Sequence, residues 1–444
     1  MAPHVLLLTV DTLRPDYLGL GGYDRPTSPT IDQLLEQGTR FRRAVTPIPR
    51  TTPALASLLT GLYPHHHGVR RLTDDLSPET TTLAEVARAN GYETIAVVSN
   101  HIVRPERGLD EGFNVYDMRG DDRVAAQTTD DALDHLRATD PTRPVLLWVH
   151  YIDPHAPYRP PTGYAAAFDP DYEGPYRDYF GGEPGSVGNR AYPRDLGKRR
   201  AVFENDLPDS INAHVRRLYA ADIRQTDDAI SRLLSGLRGA RGDDWRVVFT
   251  ADHGESLGEN RYFYDHGDYV YEAAGRIPLA FVDLSAPRAS GQVVDTWASL
   301  VDVAPTVAEW MGWTWPATQD GRTLLPALHG ATLPPRPVFI ECGRNYIEGS
   351  VPRRVTRDVA GRFRSITLGD DKLIYTPGHP EPWERYDLAS DPWETTNIWD
   401  PVAPGVGSLT AALRAWMSED TATGALEGVG QADVEALRAL GYVE

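Results

Sequence analysis

The sequence predicts an α/β domain built on a large, mostly parallel sheet, followed by a small antiparallel sheet. Three observations carry this. Short apolar runs alternate with helical patterns through about the first 340 residues. The runs are nearly continuous rather than alternating, as expected of strands covered on both faces by helices. Beyond a proline-rich stretch at 333–337 the pattern changes to a period of two.

Taken in order, VLLLTV at 5–10 predicts the first strand and SPTIDQLLEQG a helix. In TTPALASLLTG, Pro53 suits a first helical turn, and Leu55, Leu58 and Leu59 recur at helical spacing. LAEVARANG predicts a helix before a strand at 94–98, and a helix at 122–138 precedes a strand at 144–150. A long helix is predicted over 210–237, with Asp209 or Ser210 near its start and glycines at its end, and strands follow at 245–250 and 277–282. RFRSITL, KLIYT and ERYDLASDPWETTNI read as the antiparallel tail. The organisation predicted is a catalytic domain over 1–340 and a C-terminal α+β subdomain over 341–444, with 158–208 an aperiodic insertion or lid rich in Pro, Gly, Tyr, Asp and Arg. No internal repeat is visible.

With 444 residues and 41% hydrophobic content, the chain can bury one large core and a smaller one. A formal net charge of −19 argues against a nucleic-acid scaffold and against docking on anionic membranes, so an anionic substrate would have to be captured by a metal and local arginines. Cys342 is the only cysteine, which excludes an intramolecular disulfide and a thiolate metal cluster. VLLLTV is too short for a signal-peptide core, and no run approaches the roughly 20 apolar residues of a membrane span, so a cytoplasmic protein is expected.

Candidate chemistry gathers where predicted strands end. Asp11 follows the first strand, and Asp252 with His253 follows a later one, delivering two carboxylates and an imidazole to the same sheet edge. Such hard and borderline ligands suit Mg²⁺, Ca²⁺, Mn²⁺ or Zn²⁺. Thr51 precedes the proline-started helix, whose N-terminus could bind a phosphate or sulfate oxyanion, although threonine there is also an ordinary cap. In HYIDPHAPY, Asp153 and His155 lie just past a strand; His155 is a donor to an anionic oxygen or a ligand to a second metal, and His150 reads as a core histidine. His266 follows the metal loop and is a candidate for protonating a leaving group. The triplet His65, His66 and His67 is discounted as a metal site because adjacent side chains point in different directions.

VLLLTVDTLRPD, TTPALASLLTGLYP, HYIDPHAPY, FTADHGESLGE, HGDYVYEAAGRIPLAFV and the closing KLIY, ERYDLASDPWETTNI and ALRALGY, in this order, resemble the sulfatase family within the alkaline phosphatase superfamily. The resemblance implies an α/β/α sandwich with a small C-terminal antiparallel sheet. It implies a metal held by Asp11, Asp252 and His253, with Thr51 at the nucleophile position and His155 on the transferred oxyanion. GYETIAVVSNH aligns with a region contacting that oxyanion, placing Ser99 at a lysine position and His101 at a histidine; Asn100, Arg50 and Asp153 complete the expected substrate contacts. Thr12 stands where many members carry a second aspartate.

The departure with most consequence is at the nucleophile. The usual motif is C/S-x-P-x-R, whose first residue is oxidised to formylglycine; TTPAL has threonine there and Leu55 at the arginine. Oxidised threonine would be a ketone, so the aldehyde route is closed. A metal-dependent hydrolase of phosphate or phosphonate esters follows as the preferred reading, acting on a small anionic ester with one divalent ion or two. Sulfate ester hydrolysis by another route, phosphoryl-type transfer and a silent anion-binding homologue stay open, as does homo-oligomerisation.

Overall fold

The computed structural model describes residues 2–119, 123–173, 209–288, 291–316, 318–342, 363–376 and 381–420. Eight strands form the main sheet: β1 (His4–Val10), β2 (Thr39–Phe41), β3 (Glu93–Val98), β4 (Val115–Met118), β5 (Val145–Tyr151), β6 (Trp245–Ala251), β7 (Leu279–Asp283) and β8 (Gln292–Val294), in spatial order β8-β2-β7-β6-β1-β5-β3-β4. Every residue of β1 is buried, and it pairs in parallel with β5 on one side (Leu7 opposite Trp148) and β6 on the other (Leu7 opposite Val248). A strand walled by strands and covered on both faces has no polar side, which is why HVLLLTV is a continuous apolar run. Among the described strands of this sheet β7 alone runs antiparallel, to both β6 and β2.

Helices form a layer on each side. Helix α1 (Pro29–Glu36), α4 (Ala125–Ala138) and α5 (Asp209–Arg241) pack together, while α2 (Thr51–Thr60), α3 (Leu83–Ala89) and α6 (Val303–Trp310) make the opposite layer. Asp227, inside α5, accepts from the backbone amides of Thr30 (3.1 Å) and Ile31 (2.7 Å), supplying from another helix the capping that Ser28 does not give α1. The described part of the expected lid includes a short helix, Thr162–Phe168; residues 174–208 lie outside the described residues. No described helix is long and apolar enough to cross a membrane.

The small sheet is a meander of β9 (Val338–Glu341), β10 (Arg364–Leu368), β11 (Asp371–Tyr375) and β12 (Trp383–Asp387), covered by α7 (Val406–Ser418); it begins just ahead of the boundary expected at 341. Its inner face shares a core with Val45, Tyr269 and Val270 of the large unit. A buried cation fastens the two. Lys372 Nζ, fully buried on β11, lies 2.9 Å from Glu272 Oε1, 2.7 Å from Glu394 Oε1 and 2.8 Å from the Val270 carbonyl. Burial alone would raise Glu272, but Lys372 and Arg276 hold it at about 2; Glu394, raised by burial despite Lys372 and further by Glu272, is pushed to about 7. Residues 421–444, with the ALRALGY segment, lie outside the described residues.

Candidate active site

The carboxyl ends of the neighbouring strands β6, β1, β5 and β3 deliver the cluster. Asp11 directly follows β1, its amide donating to the Tyr151 carbonyl at 2.8 Å, and Thr12 then takes a left-handed φ of 57°. That turn aims the Thr12 amide at Asp252 Oδ1 (3.2 Å), which also accepts from the His253 amide at 2.8 Å. Asn100, after β3, donates from Nδ2 to Asp11 Oδ2 at 2.9 Å.

Asp11, Asp252 and His253 are completely buried, and His253 Nε2 lies 3.8 Å from Asp11 Oδ1 and 3.3 Å from Asp252 Oδ2. His253 Nδ1 engages the Gly254 carbonyl at 2.9 Å, which leaves the Nε2 lone pair facing the carboxylates. His150, read from sequence as a core histidine, belongs to this cluster instead. Thr9 Oγ1 takes its Nδ1 at 2.9 Å, and its Nε2 faces Asp11 Oδ2 at 3.6 Å. One ligand atom each of Asp11, His150 and Asp252 lies within 4.8 Å of the others.

These residues fit a divalent cation. Asp11 Oδ1, Asp252 Oδ2 and His150 Nε2 are buried with no hydrogen-bond partner among the described residues, an arrangement that costs several kcal/mol unless a charge of opposite sign completes it. Burial would raise Asp11, yet His155, His150 and His253 hold it at about 2, whereas burial and the Asp11 charge push Asp252 up to about 6.

Thr51 opens α2, with Arg50 in extended conformation before it and no side-chain cap at the helix start. Its Oγ1 is 3.3 Å from His253 Nε2, so the hydroxyl, the helix N-terminus and the carboxylate pair share one buried point. Leu55, Leu58 and Leu59 sit in the core, as the helical spacing requires. Arg50 is buried, with Nη2 3.1 Å from Asp268 Oδ1, and it lies against Gly267 (φ 89°), where a Cβ would come 2.7 Å from its Cζ. Glycine at 267 thus lets the loop carrying His266 close on Arg50.

His266 is buried, its ring 4.1 Å from that of His253 and edge-on to that of His155 at 5.2 Å. His266 Nδ1 is 3.0 Å from Glu255 Oε1. Glu255 and Asp268 were not singled out from sequence, although Glu255 follows His253 by two residues in TADHGE. His155 turns its Nδ1 to the Ala156 carbonyl at 2.6 Å.

Two expected substrate contacts have other occupations. Asn100 is engaged by Asp11 and by the Ile102 amide (3.1 Å). Asp153 turns to α4, where Oδ2 accepts from the Ala125 amide at 2.8 Å, and burial raises its carboxyl to about 6. His101 opens a short 3-10 turn and is half-buried.

A family model described as Sulfatase matches residues 3–313. The chain is 27% identical over 398 residues to the multifunctional alkaline phosphatase superfamily protein PehA of Trinickia caryophylli, covering 73% of this chain and 77% of that one. It is 23% identical to an arylsulfatase of Clostridium perfringens, with 90% of each chain covered. In three dimensions it is similar to the phosphonate monoester hydrolase of Agrobacterium radiobacter, with a TM-score of 0.73, 22% identity, and 94% and 95% of the two chains covered.

Proposed function

The chain belongs to the sulfatase family, metal-dependent ester hydrolases of the alkaline phosphatase superfamily, and on that premise we propose that it hydrolyses phosphate or phosphonate esters with Thr51 as nucleophile. The observation that carries the reading is the Thr51 hydroxyl, buried at an uncapped helix start and 3.3 Å from His253 Nε2 beside the carboxylate pair. A secondary alcohol cannot be oxidised to an aldehyde, so Thr51 must act as the alcohol it is. A sulfated threonine would leave only by attack of water on a hindered, weakly electrophilic sulfur. A phosphothreonine is opened by in-line attack of water on phosphorus. Similarity to PehA and, in fold, to a phosphonate monoester hydrolase supports chemistry beyond sulfate.

Asp11, Asp252 and His253, with His150 beside them, would hold the cation, which supplies Lewis-acid stabilisation of developing negative charge. The remaining roles fall to the chain's own groups. Thr51, its hydroxyl proton already released to solvent, bonds to phosphorus through Oγ1 as the ester oxygen leaves, the start of α2 shares the charge, and the same alkoxide departs when water attacks phosphorus. His266, held through Nδ1 by Glu255, gives a proton to the departing oxygen and then accepts one from the incoming water. His155, beside His266, is placed to hold the non-bridging oxygens. A panel of p-nitrophenyl phosphate, bis-p-nitrophenyl phosphate, a phenylphosphonate ester and p-nitrophenyl sulfate, run with Mn²⁺, Zn²⁺, Mg²⁺ or Ca²⁺, tests the reading. Turnover of phosphorus esters above sulfate is expected; dominant sulfate turnover would refute the substrate class.

A further inference from the structure

The histidine triplet after α2 is not absorbed by the active site, and the structure gives its three rings three different jobs. His67 is buried, with Nε2 2.9 Å from Ser57 Oγ and Nδ1 accepting from the Val69 amide, so it is an internal brace. His66 is partly exposed, and its Nδ1 lies 2.8 Å from both oxygens of Asp320. His65 is different: its side chain is 1% exposed, and its Nε2 has no hydrogen-bond partner among the described residues. Glu419 Oε2, from the residue that caps the end of α7, lies 3.8 Å from that nitrogen. The expectation that adjacent histidines diverge fails here, because the short turn Pro64–His67 brings the rings of His65 and His66 to 4.1 Å.

We propose that His65, His66 and Glu419 form a second metal site, distinct from the Asp11 cluster, which takes a borderline divalent cation of the zinc class and staples the turn after α2 to the end of α7. One ring nitrogen from each histidine and one Glu419 oxygen lie within 4.8 Å of one another. Zinc bonds of about 2.0–2.1 Å at tetrahedral angles put donor atoms roughly 3.4 Å apart, so the 3.8 Å pair is already close to a bound spacing. The remaining adjustment falls on His66 and Glu419, whose side chains are 37% and 55% exposed and can move. Asp320 supplies the outer carboxylate that metal-binding histidines usually keep on their second nitrogen, directing the His66 lone pair to Nε2. Two imidazoles and one carboxylate with an open side for water select Zn²⁺, Ni²⁺ or Cu²⁺ over Mg²⁺ or Ca²⁺. Trp416 walls the site, edge-on to His65 at 4.8 Å. Such an ion would tie the helix that carries Thr51 to the C-terminal unit from a side the Lys372 clamp does not reach.

Equilibrium dialysis against buffered free Zn²⁺ tests this on the full chain, comparing wild type with His66→Ala and Glu419→Gln, both changed at surface positions. Wild type should hold one zinc equivalent more than either variant, and zinc should raise its Tm further than theirs, with ester turnover unchanged. Asp11→Asn should lose a different equivalent and keep the zinc-dependent rise in Tm that His66→Ala removes. Equal zinc content in wild type, His66→Ala and Glu419→Gln would overturn the proposal, whatever the active site does.

Discussion

Replacing Thr51 separates a nucleophile from a helix-start residue that merely packs. Thr51→Ala removes one hydroxyl, whose contact with His253 Nε2 at 3.3 Å contributes about 1 kcal/mol to stability, and one buried methyl group contributing about another. The folded protein should therefore lose roughly 2 kcal/mol, a few degrees of Tm in a chain of this size. Turnover should fall much further. If the Thr51 oxygen forms the bond to phosphorus, removing it costs at least the roughly 10² to 10³ that deletion of a transition-state group costs, or about 3–4 kcal/mol of barrier. The two effects are separable, because molecules still folded at the assay temperature would be fully active if only packing were lost. Thr51→Ser is the matched control: it deletes the methyl, keeps the oxygen and should stay within about tenfold of wild type. The assay is initial-rate hydrolysis of bis-p-nitrophenyl phosphate by metal-loaded enzyme at a temperature well below each variant's Tm. Thr51→Ala at near-normal rate, matching Thr51→Ser, would refute the covalent route and leave direct attack by water.

His266→Ala and Glu255→Gln should slow the first step, transfer to Thr51, by roughly 10² to 10⁴ for alkyl esters while barely affecting the burst of p-nitrophenolate from p-nitrophenyl esters, whose leaving group needs no proton; an equal loss in the first step with both kinds of ester removes the leaving-group role. Lys372→Met strands Glu272 and Glu394 together in the interior and should cost about 3–5 kcal/mol in urea unfolding, with part regained in Lys372→Met/Glu394→Gln; an unchanged unfolding midpoint contradicts the clamp. For Asp153, burial lifts the carboxyl from 3.8 to about 6, so its favourable contribution is complete below 3.8 and is lost as pH rises through 6. Above that range the buried charge costs on the order of 3 kcal/mol, from the size of the displacement. Asp153→Asn keeps an acceptor for the Ala125 amide, so it should be more stable than wild type at pH 8 and equal to it at pH 4. An identical pH dependence in the two proteins would exclude this account.

What could be read from the sequence was whatever local periodicity and strand ends determine. The apolar runs at 5–10, 94–98, 144–150 and 245–250 all became buried parallel strands, and the Thr51 helix starts where Pro53 and the leucine spacing put it. The run at 277–282 is a strand too, but a continuous apolar run looks the same in either direction, so its antiparallel sense was invisible. Contacts across long stretches of chain were equally hidden. His150 joins the cluster through Asp11, and nothing near it in sequence distinguishes that from a core role. Glu255 acquires its meaning from the fold of the loop that returns His266 to it. For Asp153, its position past a strand suggested a ligand contact, while the α4 amide in reach of its carboxylate comes from elsewhere in the chain and could not be read locally.

The central place of β1 sets a problem of time during synthesis. Its partners, β5 and β6, begin at Val145 and Trp245, so β1 leaves the ribosome well before either neighbour and must wait for both. At synthesis rates of roughly 5–20 residues per second, the LLL run stays without its second partner for on the order of 10–50 seconds. During that interval an apolar segment with unsatisfied edges is a substrate for chaperones and for aggregation. Yield of soluble protein should thus depend on translation speed and holdase supply more than on the stability of the finished fold.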